Sequence, residues 1–215
     1  MENTTSNNAS ISKSNSSIVI IKYNAGNIQS VLYALERIGG AATVTDDHEA
    51  IMAADKVIFP GVGEASSAMN SLKENNLDAV IKNLKQPVLG ICVGMQLLCA
   101  FSEENDTPCL GILEQPVKLF KPNMDEQGIK VPQIGWNTIY NLQSPLMAGL
   151  EEDSYCYFVH SYYVPLSPYT IATTNYVQPY SAAFHKDNFY GLQFHAEKSA
   201  KVGEQILRNF IKIDK

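Results

Sequence analysis

The chain has 215 residues, 45% of them apolar, and a formal net charge of −6. This length supports one domain with a substantial core rather than two. The negative charge argues against a surface that binds a nucleic-acid backbone, and the longest apolar run near the start, 18–21, is far too short to span a membrane.

Residues 1–17 are rich in serine and asparagine and nearly free of large apolar side chains. They lack the basic start and apolar middle of a secretory signal, so we predict a disordered tail followed by one domain over residues 18–215. The four cysteines form no Cys-x-x-Cys pair, which argues against a disulfide framework and favours a cytoplasmic protein.

The first half of the domain is predicted to alternate strands and helices. A strand over 18–23 leads into a helix from about Asn27 to Ile38, whose apolar residues recur at helical spacing. This order is typical of an α/β fold with an open, mostly parallel sheet and helices on both faces. The other predicted elements of this half are strands at 42–44, 56–59 and 87–91, and helices at 48–54, 64–72, 77–84 and from 92 onward.

The second half consists of short β-rich segments broken by proline, glycine and asparagine. They predict an antiparallel β layer attached to the parallel sheet. A closing helix is predicted over 200–211, because its apolar residues share one face. The predicted strands are 129–131, 137–140, 155–159, 170–174, 181–185 and 190–194.

The strand at 87–91 turns into a helix at Cys92, with Gly90 and Gly94 two residues away on either side. This is the Gly-x-nucleophile-x-Gly elbow with cysteine in place of serine. Glycine is required at both flanks because strand and helix nearly collide there. The helix N-terminus favours the thiolate form of the sulfur, so Cys92 is the candidate nucleophile.

His195 is the candidate general base. Of the two histidines in aromatic, strand-like settings, His160 and His195, only His195 has a carboxylate two residues on, at Glu197. In an extended chain the two side chains face the same side, so the carboxylate would orient the imidazole and stabilise its cation. Such a pair is weak evidence alone, but together with a cysteine elbow it predicts a catalytic triad.

Attack of a cysteine on a carbonyl also needs hydrogen-bond donors for the oxyanion. The elbow geometry supplies the backbone N–H of Val93, and the turn Gly61, Val62 and Gly63 after a predicted strand is flexible enough to supply a second. The alternative is that this turn only joins a strand to a helix. Gln96, one helical turn beyond the cysteine, either binds a polar substrate or is an ordinary helix residue.

No His/Asp/Glu cluster in the sequence has the spacing of a metal site. The phosphate-binding pattern G-x-x-x-x-G-K-[ST] is also absent. We therefore expect neither a metal nor a cofactor.

Taken together, these motifs resemble a class I (triad) glutamine amidotransferase domain. Further motifs narrow the resemblance to the glutaminase subunits of imidazole glycerol phosphate synthase, and the likeness runs from about Ile18 to the C-terminus. The residues that carry it are 60–63, 90–96, Gly135-Trp136-Asn137, 157–162 and 194–199.

The resemblance implies a role for each matching position. Cys92 would be the nucleophile, His195 the acid/base and Glu197 the residue that orients it. The glutamine-binding positions would be Gln96, Glu104, Ser161 and Tyr162, while Tyr157 and Lys198 would lie toward the ammonia exit and the partner subunit.

The resemblance also implies a heterodimer with a (β/α)8-barrel cyclase, to which ammonia made from glutamine passes during histidine biosynthesis. The subunit would be almost inactive until the partner binds its own ligand. Three alternatives stay open: ammonia delivery to another acceptor such as a surface-polysaccharide sugar, a stand-alone cysteine hydrolase, and a subunit that only binds a synthase.

Some positions depart from the family's usual pattern. Ala196 replaces the proline between the histidine and the glutamate, which leaves the local φ less fixed. Gln133-Ile134 replaces His-Met near the expected interface, and Lys22 and Asn24 replace Asp and Gly in the first loop. None of these positions is the expected nucleophile or base.

Overall fold

The computed structural model describes residues 16–24, 26–122 and 129–214. Residues 1–15 of the predicted tail therefore lie outside the described residues. Ser17 is tied to the domain, since its N–H and its hydroxyl both donate to Oδ2 of Asp55, at 2.9 and 3.0 Å. The described part of the chain is thus anchored before the first strand begins.

The elements alternate strand and helix up to Cys92 and are mostly strands after it. The strands are β1 (Ile18–Ile21), β2 (Thr43–Thr45), β3 (Lys56–Gly61), β4 (Val88–Cys92), β5 (Cys99–Ser102), β6 (Thr107–Pro108), β7 (Leu113–Leu119), β8 (Gln133–Ile139), β9 (Ser154–His160), β10 (Tyr162–Tyr163), β11 (Thr170–Tyr176), β12 (Gln178–Lys186) and β13 (Phe189–Leu192). The α-helices are α1 (Ile28–Arg37), α2 (His48–Ala53), α3 (Ala65–Glu74), α4 (Leu77–Asn83), α5 (Val93–Leu97) and α6 (Ala200–Lys212), and short 3₁₀ helices span Glu104–Asp106, Pro145–Met147 and Ala196–Lys198.

The main sheet has seven strands in the order β11-β12-β13-β4-β3-β1-β2. Strands β2, β1, β3, β4 and β13 are parallel neighbours, while β12 and β11 run antiparallel at one edge. Strand β13 lies beside β4, with Leu192 opposite Ile91. This pairing brings the chain that follows β13 to the carboxyl edge where β4 ends at Cys92, the usual ligand edge of such a sheet.

The central strands are covered on both faces. Every residue of β1, β3 and β4 is buried, as parallel strands require when helices pack on each side. Helix α5 packs on β3, β4 and α3, whereas α6 packs on α1 and β9. The predicted α/β class, with its mostly parallel sheet, helices and added antiparallel strands, is confirmed.

Two smaller sheets complete the fold. Strands β8 and β9 pair antiparallel from Gln133 opposite His160 to Ile139 opposite Ser154. The other sheet has the order β10-β7-β5-β6, in which β5 is parallel to β7 and antiparallel to β6. Part of the predicted antiparallel layer, β11 and β12, is attached directly to the main sheet and extends it at one edge.

One predicted strand is wrong. No strand forms over 129–131, because β8 begins only at Gln133, where pairing with β9 starts. The helix predicted from 92 onward is short: it ends at Leu97, and Cys99 opens strand β5. The strands β5, β6, β7 and β10 were not predicted.

Within residues 16–24, 26–122 and 129–214, no helix is long and apolar enough to cross a bilayer. In the same described ranges, no group of three or more His, Cys, Asp or Glu side chains is arranged to hold a metal ion.

Candidate active site

Cys92 occupies a strained turn between β4 and α5, with φ 55° and ψ −112°. A non-glycine residue in such a conformation costs about 1–3 kcal/mol and persists only where its surroundings force it. They do so here: a Cβ on Gly94 would overlap the carbonyl oxygen of Phe59, and one on Gly90 would lie 2.9 Å from the Gly94 backbone. The predicted need for glycine at both flanks is confirmed.

His195 and Glu197 form a buried pair. Nδ1 of His195 lies 2.7 Å from Oε1 of Glu197, and both side chains are almost fully buried. The prediction that the two side chains meet along an extended chain is wrong. They meet across the 3₁₀ helix Ala196–Lys198. Among the described residues, Oε2 of Glu197 has no hydrogen-bond partner, so the imidazole is the main polar contact of this carboxylate.

The surroundings favour the charged form of His195. Burial lowers its pKa, but the hydrogen bonds and charges of Cys92 and Glu197 outweigh burial and raise the pKa of His195 above its usual value. Because Nδ1 is held by Glu197, the contact with the sulfur falls to Nε2. Cys92 and His195 thus place a sulfur beside an imidazolium that can give a proton to a leaving group.

A cavity of about 310 Å³ opens beside Cys92 and His195. Its volume is at the small end for ligand sites. Ten of the residues predicted from the sequence line it, drawn from both halves of the chain: Val62, Gly63, Cys92, Val93, Gln96, Glu104, Ser161, Tyr162, His195 and Lys198.

Three predicted residues lie just outside the cavity lining. Glu197 is behind the imidazole. Gly61 is opposite Cys92 in the β3–β4 pairing, and a Cβ there would lie only 2.5 Å from the Gly94 nitrogen. The ring of Tyr157 lies edge-on to Trp136, with ring centroids 5.8 Å apart, and the ammonium group of Lys198 is 6.0 Å from the Tyr157 ring centroid.

Glu104 lines the cavity and is hydrogen-bonded to the first residue of helix α3. Its Oε2 accepts a hydrogen bond from the backbone N–H of Ala65 at 2.7 Å. Burial raises the pKa of this carboxyl group and the charge of Glu64 adds to the rise, while the Ala65 bond opposes it. With one oxygen held in this way, the other is available to pair with a cationic group in the cavity.

The side chain of Gln96 is held from two sides. Its Nε2 donates to the carbonyl oxygen of Tyr162 at 2.9 Å and to Oε1 of Gln193 at 3.0 Å. Gln193 in turn has its Nε2 3.9 Å from Sγ of Cys92. Gln193 lies two residues before His195, just outside the 194–199 motif, and no role was predicted for it from the sequence.

His160 lines the cavity, although no role was predicted for it from the sequence. Its Nδ1 lies 2.7 Å from the carbonyl oxygen of Tyr162, and its Nε2 lies 3.0 Å from the hydroxyl of Tyr180. Burial lowers the pKa of His160 to about 4; the bond to Tyr162 opposes this and the nearby His195 adds to it. His160 is therefore neutral near pH 7. Its sequence signals were its aromatic strand setting and its place in the 157–162 motif.

The chain matches known proteins over most of its length. The family model described as glutamine amidotransferase class-I matches residues 19–213. The imidazole glycerol phosphate synthase subunit HisH of Bacteroides fragilis is 58% identical over 196 residues, which cover 91% of this chain and 99% of that protein. The subunit of the same name from Vibrio cholerae is 43% identical over 203 residues, covering 91% and 98%.

A solved structure of a glutamine amidotransferase from Thermotoga maritima shares the fold with a TM-score of 0.60. The likeness covers 90% of this chain and 81% of that one, at 16% identity. At that identity the likeness shows the fold alone.

Proposed function

The chain belongs to the class I glutamine amidotransferases, and on that premise we propose that it is the glutaminase subunit of an imidazole glycerol phosphate synthase. In this function it hydrolyses glutamine to glutamate and ammonia, and passes the ammonia to a (β/α)8-barrel cyclase in histidine biosynthesis. The observation that carries the proposal is the meeting of Cys92 and His195 in one cavity at the carboxyl edge of the sheet.

The first half of the reaction forms a thioester. The Cys92 thiolate attacks the side-chain amide carbon of glutamine, and the carbonyl oxygen gains the negative charge. Backbone N–H groups of Val93 and of the Gly61–Gly63 turn stabilise that oxyanion, each worth about 3 kcal/mol of barrier. His195 gives its Nε2 proton to the amide nitrogen, the C–N bond breaks, and ammonia leaves.

The second half releases glutamate. His195, now neutral, takes a proton from a water molecule that attacks the γ-glutamyl thioester. The C–S bond breaks, the sulfur leaves as a thiolate, and the imidazolium is restored. Glu197 keeps the imidazole oriented through both halves, because its carboxylate stays on Nδ1.

The β8–β9 hairpin supports a protein partner on this side of the molecule. It exposes three large apolar side chains, Ile134 at 65%, Trp136 at 53% and Tyr155 at 60%. The same hairpin carries Val159 and His160, which line the cavity. An exposed apolar cluster this close to the site is typical of an interface, and ammonia could pass across it without entering bulk water.

We place this reaction in the cytoplasm. The four cysteines are free thiols in the structure, which agrees with a reducing compartment.

The test is glutamate release by the chain mixed with a barrel cyclase and the cyclase's ribonucleotide substrate. We expect glutamate and imidazole glycerol phosphate to form together, and Cys92→Ala to abolish both. Cys109→Ala, at a half-buried cysteine outside the cavity, is the matched control and should stay active. Glutamate without imidazole glycerol phosphate would favour another ammonia acceptor, and full activity without any partner would favour a stand-alone hydrolase.

A further inference from the structure

Two buried glutamine side chains form a row of contacts that ends at the Cys92 sulfur. Gln96 contacts the second one, Gln193, which follows strand β13 and has no exposed surface. The Gln193 side chain spans the gap between Gln96 and Cys92: its Oε1 is 3.0 Å from Nε2 of Gln96, and its Nε2 is 3.9 Å from Sγ of Cys92. None of the reaction steps above uses this residue.

A backbone carbonyl sets the orientation of both amides. The carbonyl oxygen of Tyr162 can only accept, so the Gln96 atom 2.9 Å away must be the NH₂ nitrogen. The second hydrogen of that nitrogen points at Gln193, which must therefore present its own oxygen there. The end of Gln193 that faces Cys92 is then its NH₂ group, a donor.

A donor at this place stabilises negative charge on the sulfur. The imidazolium gives up its proton during the reaction, whereas an amide N–H does not, so the amide can stabilise the thiolate without protonating it. The thiolate exists twice in the proposed reaction, before the attack on glutamine and when the sulfur leaves the thioester. A hydrogen bond to a charged group is stronger than one between neutral groups, and full burial strengthens it further.

The same orientation decides what Gln96 can recognise. Both hydrogens of its Nε2 are used by the protein, at Tyr162 and Gln193. The side-chain carbonyl oxygen of Gln96 is the polar atom that remains for a ligand. Gln96 can therefore only accept a hydrogen bond from a donor group of the substrate.

We propose that Gln193 is a further catalytic residue of this site: it donates a hydrogen bond to the Cys92 thiolate and, through its oxygen, holds Gln96 as an acceptor that faces the substrate. The inference rests on the proposed glutaminase function. It assigns two effects to one side chain, a chemical one at the sulfur and a binding one through Gln96.

The test compares Gln193→Met with Gln86→Met in the complex with the cyclase. Methionine has a similar length and removes both polar atoms. Gln86 is also buried, but it bonds to Ile51 far from the cavity. We expect Gln193→Met to lower kcat by about 10-fold or more and to raise KM severalfold, and Gln86→Met to leave both constants as in the wild type.

A Gln96→Met background separates a catalytic role from general damage. If Gln193 acts on binding only through Gln96, Gln193→Met should raise KM no further in that background, while its effect on kcat persists. If Gln193→Met changes both kcat and KM by the same factors in the Gln96→Met background as in the wild type, the inference is overturned in favour of a packing role.

Gln193→Asn provides a second variant if the methionine variant does not fold. It keeps an amide, but the side chain is one methylene shorter and cannot span from Gln96 to the sulfur, so the same losses are expected. Wild-type kcat and KM in either folded variant would overturn the inference. An inactive wild-type complex would instead refute the glutaminase function itself, so the two failures are distinguishable.

Discussion

Nδ1 of His195 lies 2.7 Å from Oε1 of Glu197 across a single turn of 3₁₀ helix. The carboxylate is buried and holds the imidazole by one nitrogen, which leaves the other for Cys92. The orientation of the proposed acid/base thus depends on a contact within a turn that has Ala196 where the family usually has proline.

Glu197→Gln should lower kcat for glutamine hydrolysis by about 100-fold or more, because the amide cannot stabilise the imidazolium or enforce its tautomer. The Glu197 charge helps to raise the pKa of His195, so its loss lowers that pKa. The alkaline limb of the rate–pH profile should therefore move to lower pH. Glu204→Gln, which breaks a surface pair with Arg37 at 3.1 Å, is the control. An unchanged kcat in Glu197→Gln would refute this role.

Gly94→Ala should unfold or strongly destabilise the protein. The added methyl group would overlap the Phe59 carbonyl oxygen, and both groups belong to backbone that cannot move independently. We expect a loss of more than about 3 kcal/mol in the free energy of unfolding, measured with urea. Gly40→Ala, where the new Cβ meets its neighbours at an ordinary 3.4 Å, is the control. Equal stability of the two variants would contradict the close packing at the elbow.

Much of this fold and site could be predicted because the signals are local. The alternation of apolar strands and amphipathic helices predicted β1 to β4, and the glycines around Cys92 predicted the elbow. Strand β5 was missed because Cys99 and its apolar neighbours continue a helical pattern, and only pairing with β6 and β7 makes them a strand. Gln193 was missed because its partner Gln96 is 97 residues away in the chain.

His160 should make the protein less stable in mild acid. Its folded-state pKa is lowered from 6.5 to about 4, mainly by burial. Its contribution to stability is complete above pH 6.5 and is lost as the pH falls toward 4, because the unfolded chain takes up the proton first. Between about pH 7 and about pH 4.5, the wild type should lose about 2 kcal/mol more than His160→Gln in urea unfolding. Parallel losses in both proteins would contradict the buried neutral histidine.

Trp136→Ala should weaken binding to the cyclase, because an exposed aromatic side chain in the centre of an interface is a common hot spot. We expect the Kd to rise by about 30-fold, corresponding to about 2 kcal/mol, in a titration with the purified partner. Tyr33→Ala is a matched control on helix α1, since Tyr33 is 54% exposed and Trp136 is 53% exposed. Similar Kd values for the two variants would place the interface elsewhere.

Selective labelling of Cys92 tests the central claim most directly. The protein is treated with a glutamine analogue that carries an electrophile in place of the amide, and the modified peptide is found by mass spectrometry. Cys92 is 4% exposed and Cys109 is half-buried, so simple access would favour Cys109. The proposed site predicts that Cys92 alone is modified, that glutamine protects it, and that His195→Gln slows the reaction. Modification of Cys109 instead, or labelling of Cys92 that glutamine does not slow, would contradict the account.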